Sequence, residues 1–196
     1  MAVPRPDVPV LGFAPELLLP AQGRGGGVRA AIFDVDGVLT DGRLFIGAEG
    51  EALKAFHVLD GHGLKQLAAC GITPVVITGR DSPAVRRRMA DLGIAEAHYG
   101  IGDKLARATQ VLAALGLAWD EVAVIGDDWP DLPLLARAAF ACAPPNAHAE
   151  VIARVHHVTR AAGGAGAARE FCDLLLVAAG RYAGLLAQQQ GTLDGR

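Results

Sequence analysis

The sequence predicts an α/β fold built on a doubly wound parallel sheet, and three observations carry this prediction. Three short apolar segments, residues 28–34, 73–77 and 122–125, have the length of buried strands. Segments with apolar residues at helical spacing separate them, and a polar, glycine-containing loop follows the second and the third. Strands that alternate with helices form a parallel sheet covered on both faces, and ligands bind beyond the carboxyl ends of its strands.

Helix boundaries between these strands are marked by residues with known capping preferences. Ser82 followed by Pro83 is typical of a helix start, and Gly93 is typical of a helix end. Asp103 is a suitable N-cap for a second helix over residues 103–115. The pattern also predicts one long helix and two weaker strands, at residues 168–187, 139–142 and 155–158.

One segment departs from this alternation directly after the first strand. Residues 43–58 read as two extended arms, 43–46 and 53–58, around a turn from Gly47 to Gly50. We therefore expect an inserted β-hairpin.

Length and composition limit the class of protein. The 196 residues suit one domain, which we place at residues 28–190, after a loosely ordered extension over 1–27 and before a tail over 191–196. The formal net charge of −3 argues against a nucleic-acid partner. The apolar residues 8–20 are too few, and too interrupted, to span a membrane. Three cysteines without C-x-x-C spacing favour reduced thiols in a cytoplasmic protein over disulfides or zinc.

Two acidic residues, Asp34 and Asp36, end the first predicted strand. Two carboxylates so close repel each other, so one must be protonated or a cation must lie between them. Asp34 would attack phosphorus as a covalent nucleophile, while Asp36 would protonate the leaving oxygen and then activate water. Magnesium would neutralise the charge. The alternative is a surface turn, in which Asp and Gly are common.

Two further candidates would bind a phosphate group. Thr78 follows the second strand as a hydroxyl donor, Gly79 permits close backbone approach, and Arg80 offers a bidentate contact. Lys104 lies in the first turn of a helix, where a positive charge opposes the helix dipole. Taken singly, these residues are also compatible with a polar loop and a solvated lysine.

A second acidic pair, Asp127 and Asp128, follows the third strand in the segment Gly126-Asp127-Asp128-Trp129-Pro130-Asp131. Carboxylate oxygens suit Mg²⁺, which needs only a few protein ligands. A capped helix start before Pro130 would explain one of the two acids but not both.

The order of these four sites resembles the haloacid dehalogenase superfamily over nearly all of residues 28–190. Val38 matches the phosphatase form of the first motif, and Asp36 stands at the acid/base position, which implies a short-lived phosphoenzyme. With Mg²⁺ as cofactor, the predicted ligands are Asp34, the backbone carbonyl of Asp36, and Asp127, with Asp128 in support.

Within that superfamily the chain resembles the 3-deoxy-D-manno-octulosonate 8-phosphate phosphatases, which make the acidic sugar of lipopolysaccharide. The segments that carry this likeness are the hairpin after Asp41-Gly42, residues 59–65, the Gly126-Asp127-Asp128 loop with its Trp-Pro pair, and residues 158–166 with Arg169-Glu170. The resemblance implies a phosphorylated sugar acid as substrate, a fold without a large cap domain, and a homotetramer whose hairpins form a central barrel.

The resemblance also suggests substrate-binding residues outside the four sites. They are Asp60, Gly61 and Arg160. Arg160 begins a glycine-rich tail over residues 160–166, whose glycines would let it fold closely over a neighbouring subunit's site while Arg160 offers a carboxylate partner. The alternative is a flexible C-terminal connector. His62 and Lys65 stand where the family is expected to have Tyr and Arg. Two alternatives therefore stay open: a phosphatase of nine-carbon sugar acids phosphorylated at C9, and a non-catalytic interaction protein of the same fold.

Overall fold

A computed structural model describes residues 11–23 and 27–194, with side chains as far as residue 191. Two short 3₁₀ turns, Trp119–Glu121 and Trp129–Asp131, flank the strand Val122–Ile125. In chain order the elements are α1 (Pro15–Ala21), β1 (Ala30–Phe33), β2 (Phe45–Gly47), β3 (Gly50–Leu53), α2 (Val58–Ala69), β4 (Thr73–Ile77), α3 (Pro83–Leu92), β5 (Glu96–His98), α4 (Lys104–Leu115), β6 (Val122–Ile125), α5 (Leu132–Leu135), β7 (Phe140–Ala143), α6 (Ala149–Ile152), β8 (His157–Val158), α7 (Ala167–Ala178) and α8 (Tyr182–Asp194).

Six strands form one parallel sheet in the order β5-β4-β1-β6-β7-β8. Strand β1 is central, with Phe33 in register with Val76 of β4 and Ile125 of β6. All four residues of β1 are buried, because the pleat sends alternate side chains into two hydrophobic cores on opposite faces of the sheet. The predicted doubly wound α/β fold is confirmed. The order also gathers the carboxyl ends of β4, β1 and β6 at one edge.

The inserted hairpin is present, but its second arm lies earlier in the chain than the predicted 53–58. Strands β2 and β3 pair antiparallel with Gly47 opposite Gly50, and β3 ends at Leu53 rather than at residue 58. Lys54 then turns into the body of the protein, and helix α2 begins at Val58 with His57 as its N-cap. The prediction failed because the apolar residues after Leu53 belong partly to a helix start.

The helical pattern over residues 168–187 is two helices rather than one. Helix α7 ends at Ala178, and Gly180 adopts φ +67°, a left-handed conformation that breaks the helix before α8. Helix α8 continues to Asp194, so residues 191–194 are helical instead of a separate tail. No bounds were predicted for strand β5 or helix α2, because β5 is only three residues long and α2 contains two glycines.

The predicted extension over residues 1–27 contains one helix within its described part. Phe13, Leu17 and Leu18 pack against the same core as α7, and Ala21 is buried. Residues 11–23 are therefore folded onto the domain instead of loosely ordered, while residues 1–10 and 24–26 lie outside the described ranges. Across those ranges, none of the helices combines the length and apolar character needed to cross a bilayer.

Candidate active site

Three carboxylates converge at the edge where strands β1 and β6 end. Oxygen atoms of Asp34, Asp127 and Asp131 lie within 4.8 Å of one another. Asp34 directly follows β1, and the other two lie on the loop and 3₁₀ turn after β6. Asp131 is buried, and its Oδ2 atom accepts hydrogen bonds from the backbone N–H groups of Asp127 and Asp128 at 3.2 and 3.4 Å. The loop is thereby folded so that two of its acids face Asp34.

Lys104 completes this cluster from the first turn of α4. Its Nζ atom donates to Oδ1 of Asp34 and to Oδ1 of Asp131, each at 2.7 Å, and its side chain is only 6% exposed. The helix start itself is satisfied by Asp103, whose Oδ1 atom accepts from the N–H of Ala106. The lysine that opposes the helix dipole is thus held by two buried acids.

The cluster carries more negative than positive charge. If all three carboxylates were ionised, they and the one ammonium would sum to −2 in a buried setting. Burial, reinforced by the charge of Asp131 and only partly offset by Lys104, raises the pKa of Asp34 to about 6. Burial and the charges of Asp34 and Asp131 raise the pKa of Asp127 to about 8. Three hard oxygen donors whose charges a single lysine only partly balances fit a divalent cation such as Mg²⁺.

Asp36, two residues beyond Asp34, is half-buried and is held from a different direction. Lys54, at the root of the hairpin, donates to Oδ1 of Asp36 through a side chain that is only 1% exposed. Glu51 lies 3.2 Å from the same ammonium group and also accepts from the hydroxyl of Ser82. The hairpin root therefore connects the loop after β1 to the loop after β4.

The predicted phosphate-binding residues lie on that second loop. Thr78 is buried directly after β4, and its Oγ1 atom accepts from the N–H of Arg80 at 3.3 Å. The Arg80 side chain is 48% exposed and lies 3.9 Å from Asp36 and 3.5 Å from Glu51. Gly79 is exposed between them. The Arg80 guanidinium thus lies beside Asp36, and the Thr78 hydroxyl lies at the end of β4, the strand that pairs with β1.

The glycine-rich loop between β8 and α7 packs on the loop after β1. A Cβ atom on Gly163 would lie 1.8 Å from the carbonyl oxygen of Gly37. The side chain of Asn146 donates to that oxygen at 2.9 Å and accepts from the N–H of Gly163 at 2.7 Å. Gly163 therefore holds this glycine-rich loop against the chain's own loop after β1.

Four residues assigned from the sequence lie elsewhere or make other contacts. The side chain of Asp128 is exposed, and its carboxylate is not part of the three-acid cluster, where Asp131 stands instead. Asp60 is buried, and its Oδ1 atom accepts from the N–H of Arg169 at the start of α7. Gly61 is packed so that a Cβ would meet Arg88 at 2.4 Å. Arg160 is exposed, and its backbone N–H donates to Glu170.

The sequence reasoning missed three residues that the structure brings to the site. Asp131 was visible as a third acid in the same loop, spaced to turn back toward Asp127 across a 3₁₀ turn. Lys54 and Asn146 gave no local signal, because their partners Asp36 and Gly37 lie 18 and 109 positions away in the chain. Only the folded hairpin and loops reveal them.

Comparison with known proteins shows which family this chain resembles in sequence. A profile of haloacid dehalogenase-like hydrolases matches residues 99–171. The 3-deoxy-D-manno-octulosonate 8-phosphate phosphatase of Escherichia coli K12 is 44% identical over 154 residues, which are 79% of this chain and 82% of that protein. The chain belongs to this phosphatase family of the haloacid dehalogenase-like hydrolases.

Solved structures of this phosphatase family agree with the fold. The 3-deoxy-D-manno-octulosonate 8-phosphate phosphatase of Yersinia pestis superposes with a TM-score of 0.83 at 39% identity, covering 88% of this chain and 91% of that one. The enzyme of Moraxella catarrhalis, solved with magnesium, phosphate and the sugar acid, gives a TM-score of 0.83 at 37% identity over 88% of this chain and 97% of its own.

Proposed function

We propose that this chain is a Mg²⁺-dependent phosphatase that hydrolyses 3-deoxy-D-manno-octulosonate 8-phosphate to the sugar acid and inorganic phosphate. The observation that carries this proposal is the buried cluster of Asp34, Asp127 and Asp131 around Lys104, found in a chain of this family. The product would serve lipopolysaccharide biosynthesis, in which the family makes the acidic sugar.

The first half-reaction belongs to Asp34. Its carboxylate attacks phosphorus, a bond forms between its oxygen and the phosphoryl group, and the ester bond to the sugar oxygen breaks. Asp36 donates a proton to that departing oxygen. Lys104 uses two N–H bonds on Asp34 and Asp131, which leaves the third of its ammonium donors for a phosphate oxygen. Thr78 and Arg80 would bind the remaining phosphate oxygens from the loop after β4.

In the second half-reaction Asp36 acts as a base. It takes a proton from water, whose oxygen attacks phosphorus and releases inorganic phosphate from Asp34. The side chains of Asp34 and Asp127, with the backbone carbonyl of Asp36, would hold Mg²⁺. The ion would neutralise charge on the phosphate and the carboxylates. Asp131 orients the loop that carries Asp127.

We also propose that the chain forms a homotetramer through its hairpin. Leu44, Phe45, Ile46 and Leu53 are 45%, 43%, 65% and 52% exposed on a two-stranded arm. An isolated hairpin with this much exposed apolar surface is marginal in water, and its unpaired edges favour association. A barrel of four hairpins would bury the exposed apolar side chains and pair the strand edges.

The free thiols of Cys70, Cys142 and Cys172 support a cytoplasmic location.

The proposed function is tested by a phosphatase assay on a panel of phosphorylated sugars and sugar acids, with and without Mg²⁺. We expect the highest kcat/KM for the eight-carbon acid, and no turnover after chelation. Higher kcat/KM for a nine-carbon acid 9-phosphate would reassign the substrate. No turnover of any phosphate ester with Mg²⁺ present would support the non-catalytic alternative.

A further inference from the structure

Lys54 is a lysine with a buried side chain beside the site, and the mechanism above gives it no role. Its side chain is 1% exposed, although lysine is almost never fully buried unless it is paired. Its ammonium group contacts two carboxylates, those of Asp36 and Glu51. Removing a charged lysine from water costs free energy, which only close partners of opposite charge offset. The contacts with Asp36 and Glu51 therefore stabilise Lys54 in its buried position.

The anchoring of Lys54 extends across two loops. Glu51 accepts from Ser82 as well as from Lys54, and Arg80 lies 3.5 Å from it. The pKa of Glu51 is lowered, since hydrogen bonds from Ser82 and Lys54 and the nearby positive charges outweigh the effect of burial. An ionised Glu51 is thus a second anionic partner for the ammonium of Lys54, in addition to Asp36. The position of the Lys54 ammonium beside Asp36 therefore depends on contacts in the hairpin and at the start of α3.

We propose that Lys54 is a positioning residue for proton transfer by Asp36, an inference that rests on the proposed function. It orients the Asp36 carboxyl toward the leaving oxygen. When Asp36 passes its proton to that oxygen, the ester bond breaks, and the carboxylate left on Asp36 is stabilised by the Lys54 ammonium. Arg80 would stabilise the Asp36 carboxylate less than Lys54 does, because its side chain lies 3.9 Å from Asp36 and is 48% exposed.

The inference predicts which substrates depend on Lys54. A leaving group that is already stable as an anion needs no proton, whereas a poor leaving group depends on the acid. Because kcat/KM reports the reaction up to phosphoenzyme formation, it isolates the step in which the leaving group departs. A residue that merely supported the hairpin would affect all substrates alike.

The test is kcat/KM for a series of aryl phosphates with steadily poorer phenol leaving groups, measured for wild type, Lys54→Met and the control Lys65→Met. Lys65 is the same residue type on the exposed face of α2. We expect Lys54→Met to lose about 100-fold for the poorest leaving group, the lower range for an acid catalyst, and under about threefold for the best. Lys65→Met should match wild type throughout.

For each variant, the aryl phosphates with the best and the poorest leaving groups are assayed on one enzyme preparation. The ratio of these two kcat/KM values is then independent of the fraction of enzyme that is folded. Equal losses across the series, or no loss, would overturn the role of Lys54. Lys54→Arg keeps the positive charge and should bring this ratio part of the way back to the wild-type value. A Lys54→Arg variant that folds normally but shows the ratio of Lys54→Met would also contradict the proposed role. The proposed function is judged separately, since wild-type turnover of the sugar-acid phosphate does not enter this comparison.

Discussion

The Nζ atom of Lys104 lies 2.7 Å from Oδ1 of Asp34, although 70 positions separate the two residues in the chain. Asp131 holds the other side of the same ammonium group at 2.7 Å. This arrangement connects the end of β1, the start of α4 and the turn after β6. The single lysine offsets buried negative charge, and in the proposed mechanism its third N–H donor binds a phosphate oxygen.

Replacing Lys104 with Met should reduce kcat by at least about 100-fold, the scale observed when one charge-stabilising donor is lost. The fold of the variant should survive in the presence of Mg²⁺, because the cation offsets the three acids. Steady-state kinetics with Lys65→Met as a matched control measures this. A loss of under about threefold would place Lys104 outside the catalytic machinery.

The raised pKa values of Asp34 and Asp127 predict that the metal-free protein loses stability as pH rises. Both groups normally titrate near 3.8, and in the folded state their values are about 6 and about 8. The folded form therefore retains protons that the unfolded form has released, and that contribution is full below about pH 4 and lost as pH rises through 6 and 8.

Thermal unfolding between about pH 5 and about pH 9 measures this effect. We expect the Tm of the metal-free protein to fall across that range and Mg²⁺ to reduce the fall, since the ion replaces the protons. Asp127→Asn should flatten the metal-free curve. A wild-type Tm that rises steadily with pH would contradict the assigned charge balance.

Gly163→Ala should damage both stability and activity, because its Cβ would lie 1.8 Å from the carbonyl oxygen of Gly37. Displacing that loop should cost about 1–3 kcal/mol, the usual range for overpacking, and shift the acids that follow β1. Chemical denaturation and kcat measure the two effects. Gly184→Ala is the matched control: no neighbouring atom lies within 4 Å of its Cβ, and it should stabilise α8 by about 0.5–1 kcal/mol.

Ile46→Lys should dissociate the proposed tetramer. Ile46 is 65% exposed on the hairpin, and a charge at this position would have to be buried in a barrel of four arms. Sedimentation velocity should show a tetramer for wild type and a smaller species for the variant. Leu19→Lys is the control, because Leu19 is 68% exposed but lies on α1. A monomeric wild type would refute the assembly.

The parts of the fold that depend on local sequence were predictable, and those that depend on distant partners were not. Apolar runs ended by Asp34, Thr78 and Asp127 identified strand ends, and the geometry of parallel strands implied that these residues would meet. Asp34, Asp127 and Lys104 do lie together. The contact of Lys54 with Asp36 requires the hairpin to fold back on the site, and no periodicity in the sequence encodes it.

Some residues assigned to substrate binding also make packing contacts inside the chain. Asp60, Gly61 and the loop over residues 160–166 have the residue types of a binding loop, and the structure shows them in contact with other parts of the chain. Asp60 accepts from the backbone at the start of α7, and Gly61 makes room for Arg88. Composition alone does not distinguish a glycine that approaches a ligand from one that approaches a helix.

The identity of the nucleophile is the central claim, and Asp34→Asn tests it in part. An amide in place of the carboxylate is a far weaker nucleophile and should not attack phosphorus, so turnover should vanish while the fold is kept. Asp120→Asn, at an exposed position, is the control and should retain full activity. Loss of activity alone would still be compatible with a role in holding Mg²⁺.

The most direct measurement is rapid acid quenching of the wild-type enzyme during turnover of a phosphate ester labelled on phosphorus, followed by peptide mapping. An aspartyl phosphate formed before product release should be trapped on one residue. The account predicts that the label is found on Asp34. Label on Asp36 in its place, or release of inorganic phosphate with no labelled peptide at any time point, would contradict it.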